Sequence, residues 1–79
     1  SIQNKRHIIR SLGNIKDKGV APILEKMLSS QDGEILGDIV RALAEIGATT
    51  STESIALLEN HDLAWVRESA IYALRKLER

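Results

Sequence analysis

Apolar residues along this chain recur with a helical period. Residues 35, 36, 39, 40, 43 and 46 (Ile, Leu, Ile, Val, Leu and Ile) fall on one face at 3.6 residues per turn. No segment alternates with period two and β-branched runs are short, so the pattern predicts helices and argues against strands.

The apolar blocks themselves repeat. Arg10-Ser11-Leu12-Gly13-Asn14-Ile15 aligns with Arg41-Ala42-Leu43-Ala44-Glu45-Ile46, and that with Tyr72-Ala73-Leu74-Arg75-Lys76-Leu77. Both offsets are 31 residues. The match extends backwards, since Val40 aligns with Ile71 and Ile9, Ile39 with Ala70, and Ile35 with Val66. Upstream, Ile23, Leu24, Met27 and Leu28 resemble Ile55, Leu57 and Leu58. Each repeat reads as two helices.

Local signals set the boundaries. Pro22 suits the opening turn of a helix, where its missing N–H leaves nothing unpaired. That helix is predicted to end near Ser29, with Asp32 capping the next, and Gly47 fits the residue that closes a helix in the left-handed region. Thr50 followed by Glu53 reads as a capping box, with its helix running to about Asn60. Asp62 is the expected cap of the last helix. The chain is thus read as one domain over 1–79. It comprises a lone helix of a partial repeat (1–16) and two helical pairs (17–47 and 48–79). The fold class is all-α, an α-solenoid of about five antiparallel helices. Each pair carries more apolar surface than it buries alone, and stacking pairs side by side covers it.

Composition narrows the chemistry. At 79 residues the chain buries only about 60% of the surface its unfolded form exposes. An apolar fraction of 43% is that of a folded chain. The absence of cysteine removes disulfides, thiolate metal sites and cysteine catalysis, and points to a reducing, cytoplasmic setting. No apolar run reaches the roughly 20 residues of a membrane span. The chain begins with Ser1, which suggests a piece of a larger protein. Net charge is zero but unevenly spread. Residues 1–26 hold six basic and two acidic side chains, while residues 27–62 hold one and seven. A nucleic-acid binder would carry a basic face along its length, and the acidic middle argues against that.

The segment Leu57 to Leu74, with Val66-Arg67, Ala70 and Ala73-Leu74, resembles a HEAT repeat, more specifically the short type named after the phycobilisome lyases. Leu12-Gly13 resembles the Leu-Gly that often closes the second helix of such repeats. The middle repeat departs from the pattern, with Ile35-Leu36 in place of Val-Arg, and Lys5 stands at the Arg position of the partial repeat. A continuous Asp–Arg ladder between repeats is therefore not expected, and Arg67 is left to bond turn groups such as Ser30 or Asp32. The resemblance implies a solenoid and leaves function open. It brings a bilin lyase or isomerase component, or a nucleic-acid-binding module, as alternatives to a protein scaffold.

Solenoids of this kind bind on the concave side formed by their second helices. The polar stripe there is read as Glu34, Asp38, Arg41 and Glu45. Trp65, Ser69, Tyr72 and Lys76 follow 31 residues later, and His7, Arg10 and Asn14 lie 31 residues earlier. Both aromatic residues thus sit on one stripe beside Arg41 and Arg10, and Trp, Tyr and Arg are enriched at binding hot spots. The partner-binding stripe is taken as Trp65, Tyr72, Ser69, Lys76, Arg41, Asp38, Glu45 and Arg10. The competing reading is architectural, with Trp65 folded over its helix start and Tyr72 packed on a neighbouring repeat. No catalytic, cofactor or metal site is predicted. His7 and His61 stand apart, the acidic stripe reads as a solvated face, and Gly33 and Gly37 lack a phosphate-loop pattern. Gly37 is read as a close helix contact or as simple tolerance of glycine. The expected role is a non-catalytic scaffold for protein partners, with self-association through uncapped ends as a further route.

Overall fold

The computed structural model describes residues 1–31 and 33–78. Among them the chain forms five α-helices and no strand. These are α1 (Ile2–Ile15), α2 (Ala21–Met27), α3 (Gly33–Ile46), α4 (Thr52–Ala56) and α5 (Ala64–Leu77). Short 3-10 turns over Lys18–Val20 and Thr49–Ser51 lead into α2 and α4. None of the described helices is long and apolar enough to cross a membrane.

The three long helices lie side by side with α3 in the centre, and α2 and α4 pack on α3 and α5. Contacts along the long helices rise in the same order on each. Arg6 meets Asp38 and Gly13 meets Ala42; then Gly37 meets Trp65, Arg41 meets Ser69 and Glu45 meets Lys76. The three are therefore parallel and spaced by one repeat, the solenoid arrangement that the 31-residue period predicts.

The predicted stripe on α3 is buried throughout, and Ile9, Leu24, Ile55, Val66, Ala70 and Ala73 complete the core from the other helices. Each large aliphatic side chain so buried stabilises the fold by on the order of 2 kcal/mol. Position in the stack decides burial at equivalent sites. Ile39 is fully buried, whereas Ile8, its equivalent on α1, is 57% exposed.

Helix ends follow the sequence signals in part. Ser1 caps α1, its Oγ accepting from the Asn4 N–H at 3.3 Å. Pro22 lies in the first turn of α2. Gly47 has φ +83°, and its neighbour Ala48 donates its N–H back to the Leu43 carbonyl at 3.0 Å, which closes α3 as expected. Helix α1 continues past Leu12-Gly13 to Ile15 and stops at Lys16, which takes the left-handed conformation. Gly13 serves packing instead, because a Cβ there would sit 2.9 Å from the Ala42 Cα.

Two expected caps do not form. Thr50 belongs to the 3-10 turn before α4, and that helix has no side-chain cap bond. Ser51, fully buried, instead donates its hydroxyl to the Glu25 carboxylate at 2.9 Å, and Ser54 does likewise at 3.0 Å. A buried hydroxyl needs a partner, and the carboxylate on α2 supplies it, tying α2 to α4. At α5 the cap position falls on Leu63, not on Asp62. His61 Nδ1 accepts from the Leu63 N–H at 3.1 Å. Arg67 Nη1 donates to the His61 and Asp62 carbonyls, both at 2.9 Å. Arg67 thus holds the turn of its own repeat and not that of a neighbour. α4 proper ends at Ala56, short of Asn60, and tight i→i+3 bonds at Leu58 and Glu59 carry the chain onward. The expected cap Asp32 lies outside the described residues.

Candidate functional site

The polar stripe predicted along α3 and α5 is a partly buried seam and not an open face. Asp38 is 2% exposed and Ser69 fully buried, which corrects their placement on an exposed stripe. The physical reason is the closeness of the parallel helices. α3 is covered from both sides, so its polar residues reach neighbours before they reach water.

On the α1 side, Arg6 Nε donates to Asp38 Oδ2 at 2.5 Å and its Nη1 pairs with Glu34. The hydrogen bond to Asp38 is the chief reason the Arg6 guanidinium is held above its ordinary pKa, and both carboxylates add to it. The sequence reading placed His7 and Arg10 on this stripe and missed Arg6. The available signal was Glu34 and Asp38, four apart on one helix face and in want of a cation.

On the α5 side, Trp65 crosses to the preceding repeat, its Nε1–H donating to the Glu34 carbonyl at 3.0 Å. The indole occupies the notch left by Gly37, where a Cβ would lie 2.1 Å from Nε1, so the expected close helix contact is formed. Arg41 lies between the two aromatic rings. Its guanidinium carbon is 4.5 Å from the Trp65 centroid and 4.7 Å from that of Tyr72, both in cation–π range. Its Nε donates to Ser69 Oγ at 2.8 Å. Tyr72 donates its hydroxyl to Glu45 Oε1 at 2.7 Å, and Lys76 Nζ donates to both carboxylate oxygens at 2.9 and 3.0 Å. The bond from Lys76, followed by that from Tyr72, lowers the Glu45 pKa, and the same bond raises that of Lys76.

A cleft of about 210 Å³ opens where α1, α3 and α5 present their polar edges. Its walls include Arg6, Arg10, Asn14, Arg41, Glu45 and Trp65. Arg10 and Asn14 are exposed, and neither side chain bonds to another described residue. A larger open groove of about 660 Å³ runs along the outer edge of α5, by Glu68, Ile71, Tyr72, Arg75 and Lys76. Thirty-one residues earlier stand Gly37, Val40, Arg41, Ala44 and Glu45, the edge of α3 that α5 covers. The outer groove thus lies at the positions that, one repeat earlier, α5 covers on α3, whereas the cleft is a recess on the polar side of the stack.

Four of the predicted stripe residues, Arg41, Trp65, Ser69 and Tyr72, converge on one cluster, and Glu45 with Lys76 extends it. Asp38 is diverted to Arg6, and Arg10 stands across the cleft.

Searches of curated proteins and of solved structures return no significant match. The family profile for HEAT repeats matches residues 1–77. With three parallel helices one repeat apart and a profile match over almost the whole length, the chain belongs to the HEAT repeat family.

Proposed function

We propose that the chain is a non-catalytic module that docks a protein partner on the cleft face of α1, α3 and α5. Arg10, Arg41, Trp65 and Tyr72 would form the contact. One observation carries the reading. An arginine in cation–π contact with both Trp65 and Tyr72 lines a recess that also holds Arg10, which has no ion-pair partner among the described residues. These three residue types dominate binding hot spots, and side chains already held in place lose little entropy on binding. Within this reading the repeats are of the phycobilisome-lyase type, supported by Val66-Arg67, Ala70 and Ala73-Leu74, and the setting is the cytoplasm, supported by the lack of cysteine.

Peptides selected from a displayed library against the whole chain test the proposal. Arg10→Glu and Asn14→Arg change the cleft rim, while Lys26→Glu and Glu59→Lys change exposed sites on the opposite layer. Selected peptides should lose binding with the rim variants and keep it with the others, with circular dichroism confirming the fold. Loss confined to the opposite-layer variants would overturn the proposal.

A further inference from the structure

The cleft carries a more specific assignment, which rests on the docking reading above. We infer that it receives a carboxylate side chain, and that the partner segment is an acidic peptide.

Arg41 is oriented on three sides. Its guanidinium carbon lies over the Trp65 ring at 4.5 Å and over the Tyr72 ring at 4.7 Å, and its Nε donates to Ser69 Oγ. Neither Nη bonds to any described residue, so the outer edge of the guanidinium keeps its paired donors. That edge is the geometry that matches a carboxylate with two parallel hydrogen bonds. Arg10 stands on the same cleft without an ion-pair partner among the described residues.

The acidic residues at the cleft do not fully cancel these two cations. Asp38 shares Arg6 with the exposed Glu34, and Glu45 is engaged by Lys76 and Tyr72, so with Arg10 and Arg41 included the cluster keeps a net charge of +1. Arg10 and Arg41 line one recess, and neither has an ion-pair partner among the described residues. Asn14 on the rim adds an amide that can bond a peptide backbone.

Size and sign narrow the ligand. At about 210 Å³ the cleft is below the roughly 300–1,000 Å³ of small-molecule sites and fits one side chain. A nucleic-acid strand needs a basic track along the molecule, which the acidic middle interrupts, whereas one peptide carboxylate needs only the two arginines of the cleft.

Fluorescence polarisation with labelled short peptides tests this on the intact chain. The probes are a Glu/Ser peptide, Lys/Ser and Gln/Ser peptides of the same length, and an oligothymidylate. The Glu/Ser peptide should bind on the order of tenfold more tightly than the other two peptides, about 1.4 kcal/mol. Arg10→Glu, at an exposed site outside the core, should abolish that preference. Arg41→Lys should weaken binding although charge is kept, because the paired donors are lost. Equal affinity for the acidic and basic peptides, or tighter binding of the oligothymidylate, would overturn the inference. If library-selected peptides still depended on Arg10 and Asn14, the docking reading would survive that result. Acidic-peptide binding that ignored Arg10→Glu and vanished with Lys26→Glu would overturn both.

Discussion

The two seams of α3 join the same kind of helix at the same spacing, yet they hold by different means. Toward α1 the helices approach through small residues, Gly13 against Ala42, and one arginine reaches across to two carboxylates. Toward α5 the notch at Gly37 admits an indole, and an arginine is layered between two rings. In the first seam the cation is Arg6 of the earlier helix and its partners are charged. In the second, Arg41 of the earlier helix has aromatic rings and a serine as partners, and the Lys76–Glu45 ion pair adds a charged link further along. The 31-residue period therefore sets the spacing of the helices and leaves the polar link free to vary. A charged link is most sensitive to loss of one ion, whereas an aromatic link is most sensitive to volume.

That difference can be broken one seam at a time. Gly37→Ala should have the largest effect. The added Cβ overlaps the Trp65 indole, and expelling it also removes the bond to the Glu34 carbonyl and one face of the Arg41 stack. A loss of about 3 kcal/mol is expected, less the ~1 kcal/mol that alanine gains in helix propensity. Amide hydrogen exchange should show α5 loosened before α1, and equal loosening of both would refute the two-seam description.

Asp38→Ala comes next and acts on the other side. It leaves Arg6 without its main partner, and because the Arg6 side chain retains 17% exposure it rehydrates in part. We expect about 2 kcal/mol, below the full cost of stripping a buried pair, with exchange rising first in α1. Urea unfolding gives the magnitude.

Arg41→Ala should cost about 1–2 kcal/mol through the lost stacking. Ser69 would then be buried without its partner, while the Trp65 bond to the Glu34 carbonyl persists. Quenching of Trp65 fluorescence by a neutral quencher should increase, and an unchanged quenching constant would mean that Arg41 does not cover the ring.

The smallest effect is electrostatic. Because the folded state lowers the Glu45 pKa, its contribution is complete above the ordinary glutamate value, about 4.3, and fades as pH falls through the lower folded value. Lys76 behaves oppositely, its contribution being present below the ordinary lysine value and fading as pH rises through the raised one. Both groups are partly open to solvent, which screens the pair. Glu45→Gln should flatten the melting temperature against pH on the acid side relative to the parent chain, and an identical acid slope would show that the link adds nothing.

The helices were legible before the fold was known. Ile35, Ile39, Val40, Leu43 and Ile46 recur at a helical period, and all are buried. The gathering of Trp65, Tyr72 and Arg41 was legible too, since a common register places them on one side of parallel helices. Arg6 was not legible. Its partners lie 28 and 32 residues away, and only the distance between α1 and α3 shows that Arg6, and not His7 or Arg10, reaches them. The caps at Thr50 and Asp62 failed for a related reason. Local hydrogen bonding competes with tertiary partners, and here the turns before α4 and α5 were settled by Glu25, His61 and Arg67.

By itself the sequence determined the class of structure and its period. Apolar spacing depends on the repeat of a single helix, and a 31-residue recurrence requires helices stacked in register. The tertiary structure decided which polar residues are surface and which are seam. That choice depends on how closely neighbouring helices approach, and the approach is governed by a few small residues such as Gly13 and Gly37, whose consequence appears only once the facing side chain is in place.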